Sequence, residues 1–87
     1  MEEGERVMQL TITITIPDSK SYDIRLDDGQ HIVTTLQVLG ESIQGMQWLT
    51  HGVEVRVKDT GRTLNVQKTY KDEKIYTGAE LILLPEE

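Results

Sequence analysis

Residues 29–45 form the one segment of this chain with a helical period, and the segments on both sides alternate as strands do. The apolar side chains of the segment recur at spacings of four, three and four, so they stack on one face of a helix. They are Ile32, Leu36, Leu39 and Ile43, with Thr34, Gln37, Glu41 and Gln44 on the opposite face. A lone helix with one apolar face needs a second layer to bury it, and the segment therefore predicts one helix packed on a sheet.

The residues that flank this helix suit its two ends. A carboxylate of Asp27 or Asp28 is expected to accept a hydrogen bond from a free amide of the first turn. A cation site at this pair is disfavoured, because adjacent side chains on a turn diverge. Gly45 is expected to end the helix.

The strands are predicted from alternation of apolar and polar side chains. The first alternates isoleucine with threonine and joins the second through a turn at residues 17–20. Gly61 is expected to form the tight turn between the third and fourth strands. The last strand is almost wholly apolar, which is typical of a central position in a sheet. The predicted strands are residues 8–16, 21–26, 53–57, 63–66 and 80–84.

The order of these elements predicts the topology. The first and last strands pair in parallel at the centre, the hairpin lies on one side and the remaining strands lie on the other. The fold class is α+β: a ubiquitin-like β-grasp in which a mixed four- to five-stranded sheet packs on one helix, about 29–45. One domain is expected over residues 8–85, after a flexible polar extension, residues 1–7. The long loop at residues 67–78 is expected to place Ile75 in the core.

Composition excludes several classes of function. The 87 residues include no cysteine, which removes disulfides and thiolate chemistry. The net charge of −6 argues against a nucleic-acid partner and against docking on anionic lipid. The first residues are acidic, unlike a signal peptide, and no apolar run is long enough to cross a bilayer. A cytoplasmic protein is expected, with recruitment to the inner face of the membrane only through a partner.

No catalytic motif is present, so an enzyme, a cofactor and a metal are not expected. His31 and His51 lack converging partners in the sequence, and solvent exposure is the favoured interpretation. Ubiquitin and the sulfur carriers act through a terminal diglycine, whereas this chain closes with Pro85, Glu86 and Glu87. Conjugation is therefore not expected unless processing removes these residues.

Three stretches of the chain resemble the YukD/EsaB family of small bacterial ubiquitin-like proteins. They are residues 22–26 (YDIRL), Val55-Arg56-Val57 preceded by Trp48 in the incoming loop, and residues 75–83 (IYTGAELIL). The likeness covers about residues 8–84. It implies a cytosolic accessory of a Gram-positive type VII (WXG-type) secretion system, whose partners are cytosolic domains of the secretion machine's membrane components.

The candidate protein-binding residues follow from the predicted outer face of the sheet. That face mixes charge with a small apolar strip, and an ordinary solvated face is an equal alternative. Trp48 is either an exposed anchor or, as favoured, a residue that closes the core. Lys68, Lys71 and Lys74 recur every three residues and are assigned to a solvated loop rather than to a site for an acidic partner. The candidates are Arg25, Arg56, Lys58, Ile82, Leu84 and Trp48.

The leading functional hypothesis is a non-conjugating ubiquitin-like accessory that binds components of a type VII secretion system. One alternative is a generic ubiquitin-like interaction domain of another pathway. A second alternative is a carrier that is activated at its C-terminus after processing. The sequence leaves the oligomeric state open.

Overall fold

The computed structural model describes residues 8–17, 20–50 and 52–85. The predicted extension 1–7, part of the predicted turn (Asp18 and Ser19) and His51 lie outside the described residues. The elements are β1 (Gln9–Thr15), β2 (Ser21–Asp27), α1 (Ile32–Ser42), a 3₁₀ helix (Gln47–Thr50), β3 (Val53–Val57), β4 (Thr63–Leu64) and β5 (Glu80–Pro85).

The sheet has five strands in the order β2-β1-β5-β3-β4. The parallel pairing of β1 with β5 sets Ile14 opposite Leu81, and every other pairing of neighbours is antiparallel. This arrangement confirms the predicted topology, including the central position of the last strand. The strands form because β-branched and leucine side chains alternate with polar ones, which suits a pleated surface buried on one side.

The core lies between α1 and the inner face of the sheet. Each strand contributes every second residue to it, and Ile32 and Leu36 contribute the apolar face of the helix. Leu39 and Ile43 are half-buried against the same cluster, so the predicted apolar face is confirmed. The buried strand residues include Leu10, Ile12, Ile14, Leu26, Val53, Val55, Leu64, Leu81 and Leu83.

The ends of the helix differ from the prediction. The helix begins at Ile32 rather than at residue 29, and His31 occupies the N-cap without a side-chain hydrogen bond. The first-turn amides are satisfied by distant carbonyls instead, because Ile32 N–H donates to Lys68 O (3.0 Å) and Val33 N–H donates to Val66 O (2.9 Å). No aspartate cap is needed, and the capping prediction was wrong. The segment 66–68 therefore caps the helix.

Asp28 has a different structural role from the predicted one. It is 8% exposed, and its Oδ1 accepts a hydrogen bond from the Met8 amide at 3.1 Å. The Asp28 amide in turn donates to Met8 O at 2.9 Å. This reciprocal pair extends the hairpin of β1 and β2 by one residue on each strand.

At its C-terminal end the helix stops at Ser42, three residues before the predicted Gly45. Ile43 is already extended, and its amide donates to Leu39 O at 3.0 Å. Gly45, with φ of 85°, lies in the turn that follows. β4 is also shorter than predicted, because its continuation leaves the sheet to bond the first turn of the helix.

The long loop confirms one prediction and adds a residue that the sequence did not reveal. Ile75 is buried, as predicted. Tyr70 is buried more deeply, at 1% exposure, and its hydroxyl donates to Thr35 Oγ1 at 2.8 Å. Burial raises the pKa of Tyr70 to about 12, although the hydrogen bond to Thr35 opposes that shift.

Candidate protein-interaction face

The sheet surface that points away from the helix holds five of the six predicted binding residues. Alternation along the strands directs these side chains outward, because their neighbours in sequence face the core. We call this surface the outer face; its residues are Thr11, Thr13, Thr15, Asp23, Arg25, Glu54, Arg56, Lys58, Thr63, Glu80, Ile82 and Leu84.

Ile82 and Leu84 form an apolar strip near the middle of the outer face. Both are half-buried and lie on β5, which is flanked by β1 and β3. Ile82 sits between Thr15 and Arg56, and Leu84 sits opposite Glu54. A rigid central strand therefore presents the two side chains between neighbours that are polar or charged.

Charged residues beside this strip are paired with one another. Arg56 Nε donates to Glu54 Oε2, and Thr63 Oγ1 donates to the same oxygen at 3.1 Å. The hydrogen bond from Arg56, followed by that from Thr63, holds the pKa of the Glu54 carboxyl below its ordinary value. Lys58 Nζ, directly after β3, lies 3.4 Å from Glu80 Oε1 at the start of β5. The predicted cations Arg56 and Lys58 thus belong to ion pairs rather than to a uniformly basic surface.

Arg25 lies apart from the other candidates. It is exposed on the edge strand β2, opposite Thr11, and no ion pair with another described residue involves it. Three strand intervals separate β2 from β3, which at about 4.8 Å each places Arg25 on the order of 14 Å from the Arg56 strand. The structure brings together Arg56, Lys58, Ile82 and Leu84, but it does not bring Arg25 into that group.

Trp48 is on another part of the molecule. It lies in the 3₁₀ helix, which contacts α1 and β3, and its half-buried side chain packs against the core. That position agrees with the core-closing interpretation of Trp48. It also places Trp48 on the helix side of the sheet, so Trp48 and the outer face do not form one continuous binding surface.

The positions of Arg56 and Lys58 were predicted from the sequence, but their ion pairs with Glu54 and Glu80 were not. Glu54 and Arg56 are two residues apart on one strand, so they share a face, and this spacing was sufficient to predict the pair. The partnership of Lys58 with Glu80 depends on the register of β3 against β5 and has no local signal.

The described part of the chain contains neither a candidate metal site nor a membrane-spanning helix. In residues 8–17, 20–50 and 52–85, no three His, Cys, Asp or Glu side chains lie close enough together to hold a metal ion. His31 is exposed and forms an isolated backbone bridge with Thr69. No helix in these ranges is both long and apolar enough to span a bilayer.

Comparison with known proteins identifies the fold. Neither a protein-family model nor a curated protein matches the sequence. Among solved structures, the ubiquitin-like domain of Plasmodium falciparum Dsk2 is similar, with a TM-score of 0.72 and 9% identity over 91% of this chain and 100% of that one.

Two further solved structures are similar over the full length of this chain. The N-terminal ubiquitin-like domain in the 4931431F19Rik protein has a TM-score of 0.70 and 11% identity, and 82% of its chain is covered. The ubiquitin-like domain of Arabidopsis thaliana At2g32350 has the same TM-score and identity, with 88% of its chain covered. At these identities the likeness extends to architecture alone, and the conclusion is that the chain has the ubiquitin-like fold.

Proposed function

We propose that this chain is a non-conjugating ubiquitin-like accessory of a type VII (WXG-type) secretion system, which acts by binding other proteins. Its partners are cytosolic domains of the machine's membrane components, and it acts in the cytoplasm, brought to the inner face of the membrane only through them. Neither catalysis nor nucleic-acid binding is part of this role. The resemblance of residues 22–26, 55–57 and 75–83 to the YukD/EsaB family supports the pathway.

The observation on which the binding role rests is the apolar strip of Ile82 and Leu84 with its paired charges. Complete burial of two half-exposed aliphatic side chains contributes about 1–3 kcal/mol, which favours a modest and reversible association. The ion pairs at its border, Glu54–Arg56 and Lys58–Glu80, favour a partner with complementary charges and disfavour a purely apolar one.

A second candidate function is a ubiquitin-like interaction domain that serves another pathway. The similar solved structures favour it, since they are ubiquitin-like domains of the 4931431F19Rik protein, of Plasmodium falciparum Dsk2 and of Arabidopsis thaliana At2g32350. This alternative keeps the outer face as the binding surface and changes only the partner. The carrier alternative requires a covalent adduct, and the intact mass of the protein isolated from its host detects one.

The test is export of small helical-hairpin WXG-type substrates by a host strain that lacks this gene. The strain is complemented with the natural chain, with the double variant Ile82→Thr and Leu84→Thr, or with Val38→Thr. Val38 is exposed on the helix, so its variant removes a comparable apolar group from a different surface. Threonine is chosen because it retains the preference for strand conformation.

We expect export to fail in the deletion strain and in the double variant, and to recover with the natural chain and with Val38→Thr. Export that continues without the gene would contradict the secretion role. Recovery by the double variant would leave the pathway standing and contradict the assignment of the outer face. Thermal unfolding of the purified variants verifies that each is folded.

A further inference from the structure

A second concave surface lies at the end of the sheet where β1 begins. We call it the basic groove; a cavity of about 380 Å³ is lined by Met8, Gln9, Leu10, Asp28, Lys71, Lys74, Ile75, Tyr76 and Thr77. Of these residues only Gln9, at the start of β1, points to the same side of the sheet as the outer face, and the others lie at the end of the sheet or in the loop. The groove therefore constitutes a separate surface, and an inference about it does not rest on the function proposed above.

The apolar part of the groove has a buried floor and exposed walls. Leu10 and Ile75 are buried and contribute the floor. Met8 and Tyr76 are 64% and 71% exposed, and they account for two of the three large apolar side chains that are exposed among the described residues. Exposed apolar side chains that gather around a cavity mark binding surfaces, and tyrosine and methionine are both enriched in them.

The charges of the groove are opposite to those of the whole chain. Lys71 and Lys74 are exposed on its lining, and neither forms an ion pair with another described residue. The nearby Glu73 is engaged elsewhere, since its Oε1 lies 3.1 Å from Arg62 Nη1. Asp28, the one carboxylate among the described lining residues, is buried, and its Oδ1 accepts a hydrogen bond from the Met8 amide. A chain of net charge −6 thus presents, beside an apolar cavity, two lysines that have no ion-pair partner among the described residues.

Backbone hydrogen bonds hold the lysines in place. The Lys71 amide donates to Asp28 O at 2.8 Å, and the Lys74 amide donates to Lys71 O at 3.0 Å. Lys74 has φ of 59°, an unusual conformation for a residue other than glycine. The loop is joined to β1 as well, because Thr11 N–H donates to Thr77 Oγ1 at 2.9 Å. The groove is therefore formed before any ligand arrives, which reduces the entropic cost of binding.

We propose that the basic groove binds an acidic peptide segment in which an apolar side chain is flanked by carboxylates. The apolar side chain packs on Leu10 and Ile75 between Met8 and Tyr76, and the carboxylates pair with Lys71 and Lys74. The buried Asp28 carboxylate repels an anion at the floor, so the acidic groups bind at the rim. Nucleic acid fits this surface less well, since a chain of net charge −6 repels a polyanion at longer range.

The test is a titration of the full chain, labelled with ¹⁵N, with a blocked hexapeptide that has two central leucines flanked by aspartate and glutamate. A second hexapeptide carries asparagine and glutamine at the flanking positions. We expect the acidic peptide to shift the amide signals of Met8, Gln9, Lys71 and Tyr76. The neutral peptide is expected to bind about fivefold more weakly at low ionic strength, as the loss of two exposed ion pairs implies.

Three variants locate the contacts. The double variant Lys71→Glu with Lys74→Asn removes the cations, and asparagine is chosen because it tolerates the positive φ of residue 74. Tyr76→Ala removes the aromatic wall. Lys68→Glu is the matched control, since Lys68 is an exposed lysine of the same region that does not line the groove. We expect binding to weaken about fivefold or more in the first two and to be nearly unchanged in the control.

Several results would overturn the proposal. In one, the acidic peptide shifts amide signals of the outer face alone. In another, the lysine double variant and the Lys68→Glu control bind the acidic peptide equally well. Tighter binding of a single-stranded DNA oligonucleotide at the same signals would assign the groove to polyanions. If the peptide does not bind, and replacement of Glu2, Glu3 and Glu5 by glutamine shifts the groove signals, the chain's own first residues are its ligand.

Discussion

The hydroxyl of Tyr70 donates a 2.8 Å hydrogen bond to Thr35 Oγ1, and this bond joins the middle of the long loop to the first half of the helix. Gln30 Nε2 donates to the same oxygen at 2.6 Å. The helix contains several β-branched residues and a glycine, which are weak helix formers, so packing and contacts of this kind hold it in place. The interaction makes the loop a part of the core rather than a surface connection.

Replacing Tyr70 with phenylalanine tests the value of this bond. The ring is retained, while Thr35 loses one of its two donors, and we expect the free energy of unfolding to fall by about 1 kcal/mol at pH 7. Urea unfolding measures the change. A matched control is Tyr76→Phe, whose ring is exposed and whose variant should unfold as the natural chain does.

The free energy of unfolding of the natural chain and that of Tyr70→Phe should also respond differently to alkaline pH. The pKa of Tyr70 is about 12 in the folded chain, above the value of about 10 for an unfolded chain. The neutral phenol is therefore favoured by folding: its contribution is complete below about pH 10 and is lost as the pH rises towards 12. We expect the natural chain to lose about 2–3 kcal/mol more than Tyr70→Phe across this interval. Parallel losses in the two proteins would contradict the burial of a neutral Tyr70.

Alanine variants of Asp28 and Asp27 distinguish a role in closing the hairpin from a role in capping the helix. Asp28→Ala leaves the Met8 amide without its acceptor and is expected to cost about 1 kcal/mol, whereas Asp27→Ala should change stability by less than about 0.5 kcal/mol. Asp28→Asn retains an acceptor oxygen and should recover part of the loss. Urea unfolding gives the energies, and the Met8 amide signal reports the contact. Equal losses in both alanine variants would favour capping instead.

The acid pH dependence of stability tests the ion pair between Glu54 and Arg56 on the outer face. The pKa of Glu54 is lowered by Arg56 and Thr63, so its contribution to stability is present above the unfolded value of about 4.3 and is lost as the pH falls through the folded value. We expect the natural chain to exceed Glu54→Gln in stability at pH 6, and the difference to vanish well below pH 4. The midpoint of urea unfolding at each pH measures it. A difference that persists at pH 2 would indicate a role other than ion pairing.

The architecture could be predicted from the sequence because the patterns that indicate each strand and the helix lie within that element. Alternation at period two placed Ile12 and Val55 on the inner face, and the helical period placed Ile32 and Leu36 there. The apolar character of residues 80–84 was enough to predict the central strand. Each of these inferences depends on side chains within one element, and the fold confirms them.

The remaining features depend on contacts between residues distant in sequence. Asp28 resembles a cap locally, but its partner is Met8, and the helix amides bond Val66 and Lys68. Tyr70 lies in a polar stretch, and its burial follows from a contact with Thr35. The basic groove likewise arises where residues 71–77 pack on the start of β1. A periodic pattern within one segment has no information about such pairings.

Photo-crosslinking in the native host shows whether the outer face binds another protein without forming a covalent bond to it. A benzoylphenylalanine replaces Thr63, at the rim of the outer face, or Val38, on the exposed side of the helix. Ile82, Leu84 and both ion pairs are retained, and the Thr63 variant loses only the hydrogen bond from Thr63 to Glu54. We expect irradiation to join the Thr63 variant, and not the Val38 variant, to a cytosolic domain of a secretion component. The unirradiated protein should have its unmodified mass. Crosslinks from Val38 alone would place the binding surface on the helix, and a covalent adduct formed without light would rule out a purely non-covalent role.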